Sequence, residues 1–286
     1  NKIRIVDLGC GSGEGVELLT HIPPSDPVKT VNKEFVIVED DIELYKGVDI
    51  SPAMVEQGKS NYSHLPRVEF VQGDLSEGFP FMRDDPYDMY FSSYASESHL
   101  TFEELGHLTK EVFSHISDKG YLVFDLFGRN SPEWPKYWGQ DCHTALPYTM
   151  AYLLPPEERN PERIEWFNVT YWTGPELVGL IESAAKSAKR KARVVTMRDR
   201  SIFVGRHMDT SIFKKQGHQT RIAVNRLFDP DCRGQISGLS IDINYLEEAK
   251  EASPEGWARI HDYYNQWQAV VNVLDALMCT NNTEVK

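Results

Sequence analysis

The sequence predicts an α/β fold: a seven-stranded, mostly parallel sheet with helices on both faces, an aromatic insert and a helical C-terminal extension. Three observations carry this. Short apolar or β-branched runs alternate with stretches of helical spacing through the first two thirds of the 286 residues, the pattern of parallel strands joined by crossover helices. The first run breaks into alternating glycines at Gly9, Gly11 and Gly13. Acidic residues recur where the runs end, at Asp7, Asp49 and Asp74.

Ile3–Leu8 reads as the first strand and Glu14–Ile22 as the first helix. Tyr45–Asp49 is the second strand. Ser51 at the N-cap and Pro52 at the first helical position then start a helix running to about Tyr62. The Ser side chain accepts from a helix N–H that has no intrahelical partner, and Pro has no N–H to lose. Val68–Gln72 and Tyr87–Ser92 are the third and fourth strands. Thr101–Ile116 puts Leu105, Leu108, Val112, Phe113 and Ile116 on one helical face, and Thr101 and Glu104 have the spacing of a capping box. Gly120 stops this helix, and Tyr121–Phe127 is the fifth strand. A helix over Pro175–Ala188 and strands over Ala192–Met197 and Ser201–Gly205 complete the series.

Three stretches fall outside the alternation. Pro23–Glu43 lengthens the link between the first helix and the second strand. Ser131–Trp172 is crowded with aromatics, among them Trp134, Trp138, Tyr148 and Trp166. From Met208 onward a tail ends in Glu255–Met278, where Trp257, Ile260, Tyr264, Trp267, Val271, Leu274 and Met278 recur at helical spacing. That stripe suits core or dimer packing, and a homodimer through this helix is the expectation. The chain so divides into a domain over residues 1–207, with the insert at 131–172, and a mostly helical extension over 208–286, packed on the core or on a partner subunit.

Composition narrows the function. No apolar run approaches the roughly 18 residues of a membrane span, and no secretory leader is expected, so a cytoplasmic protein without a membrane partner is anticipated. Cys10, Cys142, Cys232 and Cys279 lack CxxC spacing, so no metal site and no disulfide framework are expected. A net charge of −13 argues against general nucleic-acid binding. Residues 186–235 stand apart, with thirteen Lys or Arg against four acids. They are either a solvated face or a patch for an acidic partner.

The glycine loop selects the cofactor. A dinucleotide loop requires GxGxxG, but Glu14 stands at the third glycine when counting from Gly9, and Val16 when counting from Gly11. A P-loop is excluded because no GKS or GKT follows. What is present is "DLGCGSG", an acid two residues before GxGxG. This stretch resembles the first motif of the class I S-adenosylmethionine-dependent methyltransferases. "GVDISPAMVEQGK" resembles the second motif of that family, "VEFVQGDL" the third and "YDMYFSSY" the fourth. "LTKEVFSHISDKGYLVFDLF" is similar to the helix, turn and strand that follow in many members.

The resemblance implies a Rossmann-like, S-adenosylmethionine-binding domain over residues 1–207 and assigns roles within it. Gly9, Cys10, Gly11 and Gly13 form the cofactor loop, where missing side chains permit close approach. Asp7 orients the cofactor ammonium, Asp49 accepts from both ribose hydroxyls, and Asp74 accepts from the adenine amino group with the Leu75 amide beside it. Ile50 and Met54 pack on the adenine, and Ser92 ends the fourth strand beside the cofactor. Asp49 lies thirty-six residues after Gly13, where about twenty is usual, which makes Glu39 or Asp40 a rival ribose ligand. Ser51-Pro52 starting a helix directly afterwards favours Asp49.

Methyl transfer is an in-line displacement in which alignment supplies much of the rate. The expected acceptor is a small molecule held against the aromatic insert acting as a lid. Tyr94, Glu97 and His99, in "SSYASESHLT", are the candidate catalytic residues, able to position the acceptor or take a proton; His143 is a further candidate. Two rival readings keep the fold. One is an RNA or protein methyltransferase using residues 186–235, and the other is a regulatory module that binds the cofactor without turnover. A nicotinamide oxidoreductase is the remaining alternative.

Overall fold

A computed structural model describes residues 2–25, 34–214, 218–230 and 236–281. Cys232, and parts of the Pro23–Glu43 link and of the basic 186–235 region, lie outside the described residues. The chain divides into two compact units. The first comprises residues 1–127, 142–145 and 169–197, and the second residues 128–141, 146–168 and 198–286. Residues 128–141 and 146–168 thus join the C-terminal part instead of the expected 1–207 domain. Trp138 shows why: its ring is buried in one cluster with Phe203, Met208, Ile241, Leu246 and Ile260.

The first unit is built on five parallel strands: β1 (Ile3–Leu8), β2 (Ile42–Asp49), β3 (Val68–Gln72), β4 (Met89–Phe91) and β5 (Tyr121–Val123). Their order in the sheet is β3-β2-β1-β4-β5. After β3 the winding reverses and crosses to the other side of β1, so β1 and β4 flank a topological switch point. Ligands of such sheets bind there, at the carboxyl ends of the strands. In register, Asp7 pairs with Gly47 on one side and Phe91 on the other, and Asp49 with Gln72, which brings the acids of β1 and β2 to that same end.

Helices cover both faces. On one, α1 (Glu14–Thr20) and α2 (Pro52–Asn61) bury Val16, Leu19 and Val55 against Ile5, Tyr45 and Phe70. On the other, α3 (Phe102–His115) and α4 (Gly174–Ser187) interlock Leu105, Leu108 and Val112 with Leu180 and Ala184. The helix starts follow the caps written in the sequence. Ser51 Oγ accepts from the Met54 N–H at 3.4 Å, Thr101 and Glu104 close a reciprocal box at 3.3 and 2.8 Å, and the Thr173 N–H donates to Glu176 at 2.8 Å. Caps of this kind contribute about 1 kcal/mol each.

Among the described residues the sheet has five strands where seven are expected. Residues 191–205 form neither of the two further strands. Val194, Val195 and Met197 are 43, 67 and 45% exposed, so side chains pointing to both sides of the stretch face solvent. Residues 194–197 cover no apolar face, and Phe203 is buried instead in the aromatic cluster around Trp138, whereas a strand is stabilised by what its side chains cover in a sheet. β5 also ends at Val123, short of Phe127, because the Phe127 N–H is taken by the Ser98 hydroxyl at 2.9 Å instead of a strand neighbour.

The second unit is held by short turns and aromatic packing. The indole N–H groups of Trp134 and Trp138 donate to the Gly128 and Ser131 carbonyls at 3.0 and 2.8 Å, and the Tyr137 hydroxyl donates to Pro147 O at 2.7 Å. Its last helix, Pro254–Asn281, buries Ile260 and Val271 and leaves Val270, Val273 and Met278 exposed. Among the described residues, no helix is long and apolar enough to cross a membrane.

Candidate functional site

The loop between β1 and α1 needs its glycines. Gly9, Gly11 and Gly13 all have positive φ, of 67, 54 and 97°, a region other residues enter only at a cost. At Gly9 an added Cβ would lie 2.4 Å from Ser96 Cβ, and at Gly13 2.5 Å from the Phe70 ring. The loop is also tied to the tip of β2. The Gly11 N–H donates to Asp49 Oδ2 and the Ser51 N–H to Asp49 Oδ1, each at 2.9 Å. Asp49 therefore both shapes the glycine loop and starts α2, and its carboxylate retains lone pairs for a further donor.

Around this carboxylate lie the apolar side chains a purine would need. Ile50 is 62% and Met54 47% exposed. They are not core residues. Asp74 caps a turn at Leu75–Glu77, with Oδ1 accepting from the Ser76 N–H and hydroxyl at 2.9 and 2.7 Å. Cys10 differs from its neighbours in the motif: its side chain is buried against Gly47 and Phe70, and only its backbone belongs to the loop. Glu39 and Asp40 sit in a single turn before β2, at the opposite end of that strand from Asp49. The parallel register thus leaves Asp49 as the acid at the carboxyl end.

Asp7 is fully buried, and Tyr45, its neighbour on β2, donates a short hydrogen bond to Oδ2. Oδ1 has no partner. Burial pushes the Asp7 carboxyl up to about 7; the Tyr45 hydrogen bond opposes this, and Asp49 and Glu14 add to it. The first turn of α1 lies directly on the pair: a Cβ on Gly15 would come 2.2 Å from Asp7 Oδ2 and 2.7 Å from the Tyr45 hydroxyl. The sequence singled out Asp7 but not Tyr45 or Gly15, which the structure places against it. The one signal available was the glycine that follows "GSGE".

The segment after β4 is bound to the glycine loop. The Ser96 hydroxyl donates to Gly9 O at 3.0 Å and is shared with Ser93 O at 2.9 Å. Two consecutive non-glycine residues, Tyr94 and Ala95, have φ of 56 and 61°, a conformation costing about 1 kcal/mol or more per residue that clusters at functional sites. The turn they make leaves the Tyr94 ring 64% exposed and buries Glu97 to 1%. Neither Glu97 carboxyl oxygen has a partner in regular hydrogen-bond geometry. Burial pushes Glu97 up to about 8, with Asp7 and Asp125 adding and the Ser92 hydroxyl and its own N–H opposing. His99 lies at the exposed end of this turn, its imidazole lowered by partial desolvation and partly restored by Asp49. Ser92, the last of these residues, is buried, and its N–H donates to Val123 O. His143 is elsewhere in the unit, against the Phe102 ring at 4.1 Å and Glu103 at 3.7 Å.

These residues fit S-adenosylmethionine. A phosphate-free loop without lysine, buried carboxyl oxygens that lack donors beside it, and an acid flanked by exposed apolar side chains match an ammonium, a ribose and an adenine in turn. Residues 39–120 match the family model of the methyltransferase domain, a span running from β2 through α3. Malonyl-[acyl-carrier protein] O-methyltransferase of Bacillus cytotoxicus is 26% identical over 132 residues, 45% of this chain. That match spans little more than a third, 37%, of the relative's own length. Similar solved structures include an S-adenosylmethionine-dependent methyltransferase from Methanosarcina mazei, 20% identical over 64% of this chain and 79% of that one with a TM-score of 0.44. Another, from Clostridium acetobutylicum, is 14% identical over 63% and 72%, with a TM-score of 0.42. Residues 39–120 thus match a methyltransferase domain, and the four motifs in order and the strand order of residues 3–127 are similar to those of the class I S-adenosylmethionine-dependent methyltransferases. This is an enzyme domain, and S-adenosylmethionine is its cofactor.

Proposed function

We propose that the chain methylates a small-molecule acceptor bound beside Tyr94, Glu97 and His99. The observation that carries this is the tie between the turn after β4 and the cofactor loop, Ser96 Oγ to Gly9 O at 3.0 Å. It fixes the candidate acceptor residues to the loop that holds the cofactor. When bound, S-adenosylmethionine supplies a methyl carbon on a sulfonium sulfur; an acceptor lone pair forms the new bond as the C–S bond breaks and its electron pair goes to sulfur.

The residues of the chain divide the remaining work. Asp49 would accept from the ribose, Ile50 and Met54 would cover the adenine, and Asp74 with the Leu75 amide would read its edge. Asp7 and Glu97 offer buried acceptors for the ammonium. Glu97, held near 8 by burial, is protonated at neutral pH and is not a base there. His99, exposed and with its imidazole lowered by desolvation, is suited to take a proton from the acceptor. Tyr94 offers an exposed phenol for positioning.

A second reading has an acceptor carried on a protein. The exposed cations Lys186, Lys189, Lys191, Arg193, Arg198 and Arg200 favour it, as does the similarity to the Bacillus relative, a malonyl-[acyl-carrier protein] O-methyltransferase. Formation of S-adenosylhomocysteine over a panel of amines, phenols and carboxylic acids tests the first reading. Turnover with free small molecules that is insensitive to salt supports it, and turnover only with protein-bound acceptors, falling steeply with salt, replaces it with the second.

A further inference from the structure

We propose that a cavity in the second unit, between the turn at Pro135–Tyr137 and the segments around Phe213 and Tyr245, binds a small organic carboxylate with an apolar or aromatic body. The cavity measures about 590 Å³, inside the roughly 300–1,000 Å³ of small-molecule sites. It uses none of the motif residues of the first unit.

Two lysines, Lys136 and Lys214, are among its lining residues. Lys214 is 8% exposed, and its Nζ donates to the His207 and Met208 carbonyls at 3.0 and 2.9 Å, with Met208 Sδ at 3.7 Å. Lys136 lies over the Tyr137 and Phe213 rings, at 5.0 and 5.1 Å from their centroids. Neither forms an ion pair with a carboxylate of the described residues. The acids nearby are otherwise engaged or face the same space. Glu133 accepts from the His207 N–H and the Ser131 hydroxyl, and Glu248 is on the cavity wall. Desolvation lowers both lysines, Lys214 to about 8, although Glu133 and Asp209 pull the latter back up.

A cation taken out of water without an anion is an expensive arrangement. Here it stands beside an open volume with aromatic walls. A single carboxylate entering between the lysines would supply the missing charge, and Phe213 and Tyr245 would cover the body behind it. Glu248 disfavours a dianion. The cavity is thus suited to a monoanion with apolar bulk instead of a bare phosphate.

The probe is benzoate, with benzamide as its neutral isostere and inorganic phosphate as the bare anion, each titrated calorimetrically into the full chain. Benzoate should bind and benzamide and phosphate should not. Lys214→Met and the exposed-site variant Lys136→Gln should each weaken benzoate by about tenfold or more, the effect of one charge-assisted hydrogen bond, with unchanged thermal melting for Lys136→Gln. S-adenosylmethionine affinity, read separately, should not change in Lys136→Gln. Equal binding of benzamide, tighter binding of phosphate than of benzoate, undiminished benzoate affinity in Lys136→Gln, or no benzoate binding up to about 10 mM would each overturn the proposal.

Discussion

Asp7 and Glu97 in the first unit and His207 in the second are all within 1% of complete burial, yet they are buried in opposite ways. His207 has both ring nitrogens engaged, Nδ1 with the Thr210 hydroxyl and Nε2 with Thr149 O, each at 2.9 Å. Burial lowers it to about 4 and holds it neutral. Asp7 has one oxygen without a partner, and neither Glu97 oxygen has one in regular hydrogen-bond geometry. A buried polar group whose bonds are complete locks a fold. One left incomplete costs stability and persists where a ligand completes it. The incomplete pair lies beside the glycine loop, and the complete one lies among the aromatics of the second unit.

The comparison can be broken most sharply at Gly15, whose added methyl would strike both Asp7 and Tyr45. Gly15→Ala is expected to destabilise the protein by about 3 kcal/mol, at the upper end of overpacking costs, and to abolish cofactor binding; denaturant melts and titration read the two effects. Asp49→Ala should weaken S-adenosylmethionine by about 30- to 100-fold, or ~2–3 kcal/mol, with a smaller loss of stability as the Gly11 and Ser51 amides lose their acceptor. Equal cofactor affinity in that variant would remove Asp49 from the site.

Proton linkage sharpens the contrast further, because the two clusters have opposite signs. Asp7 and Glu97 are raised from 3.8 and 4.5 to about 7 and about 8. The folded chain therefore holds protons that the unfolded chain releases. Their contribution is complete below about pH 4 and drains away as the pH rises toward 8. His207, lowered from 6.5 to about 4, contributes fully above about pH 6.5 and loses its contribution as the pH falls toward 4. Relative to wild type, an Asp7→Asn, Glu97→Gln double variant should gain stability with rising pH. His207→Gln should show the reverse trend, gaining as pH falls from 6.5. Parallel difference curves would mean the clusters are not opposed. The smallest effect is expected from Tyr45→Phe, a loss of about 1 kcal/mol in chemical denaturation, with a weaker grip on Asp7 seen as a shifted pH dependence of cofactor binding.

Much of the first unit was legible because its signals are local. The Ser51-Pro52 start, the Thr101–Glu104 box and the glycines after Leu8 each act within a few residues, and all appear in the structure. The two further strands were not legible in the same way. A β-branched run such as "ARVV" becomes a strand only if distant residues offer an edge and an apolar face, and here it stays exposed. The Asp7–Tyr45 pair depends on the register of β1 against β2, which spans the lengthened link and leaves no mark in sequence spacing. Ser96, which joins the β4 turn to Gly9, was hidden for the same reason. In the second unit the aromatics of 131–172 were visible, but their partners Phe203, Phe213 and His207 come from far along the chain.

The most direct test of the central claim, that the glycine loop and its buried acids form an S-adenosylmethionine site, is calorimetric titration of the full chain with S-adenosylmethionine, S-adenosylhomocysteine and NAD. Binding of the first two in the micromolar range, with none of NAD, is the predicted result. Preference for NAD, or no binding of either sulfur compound, would contradict it.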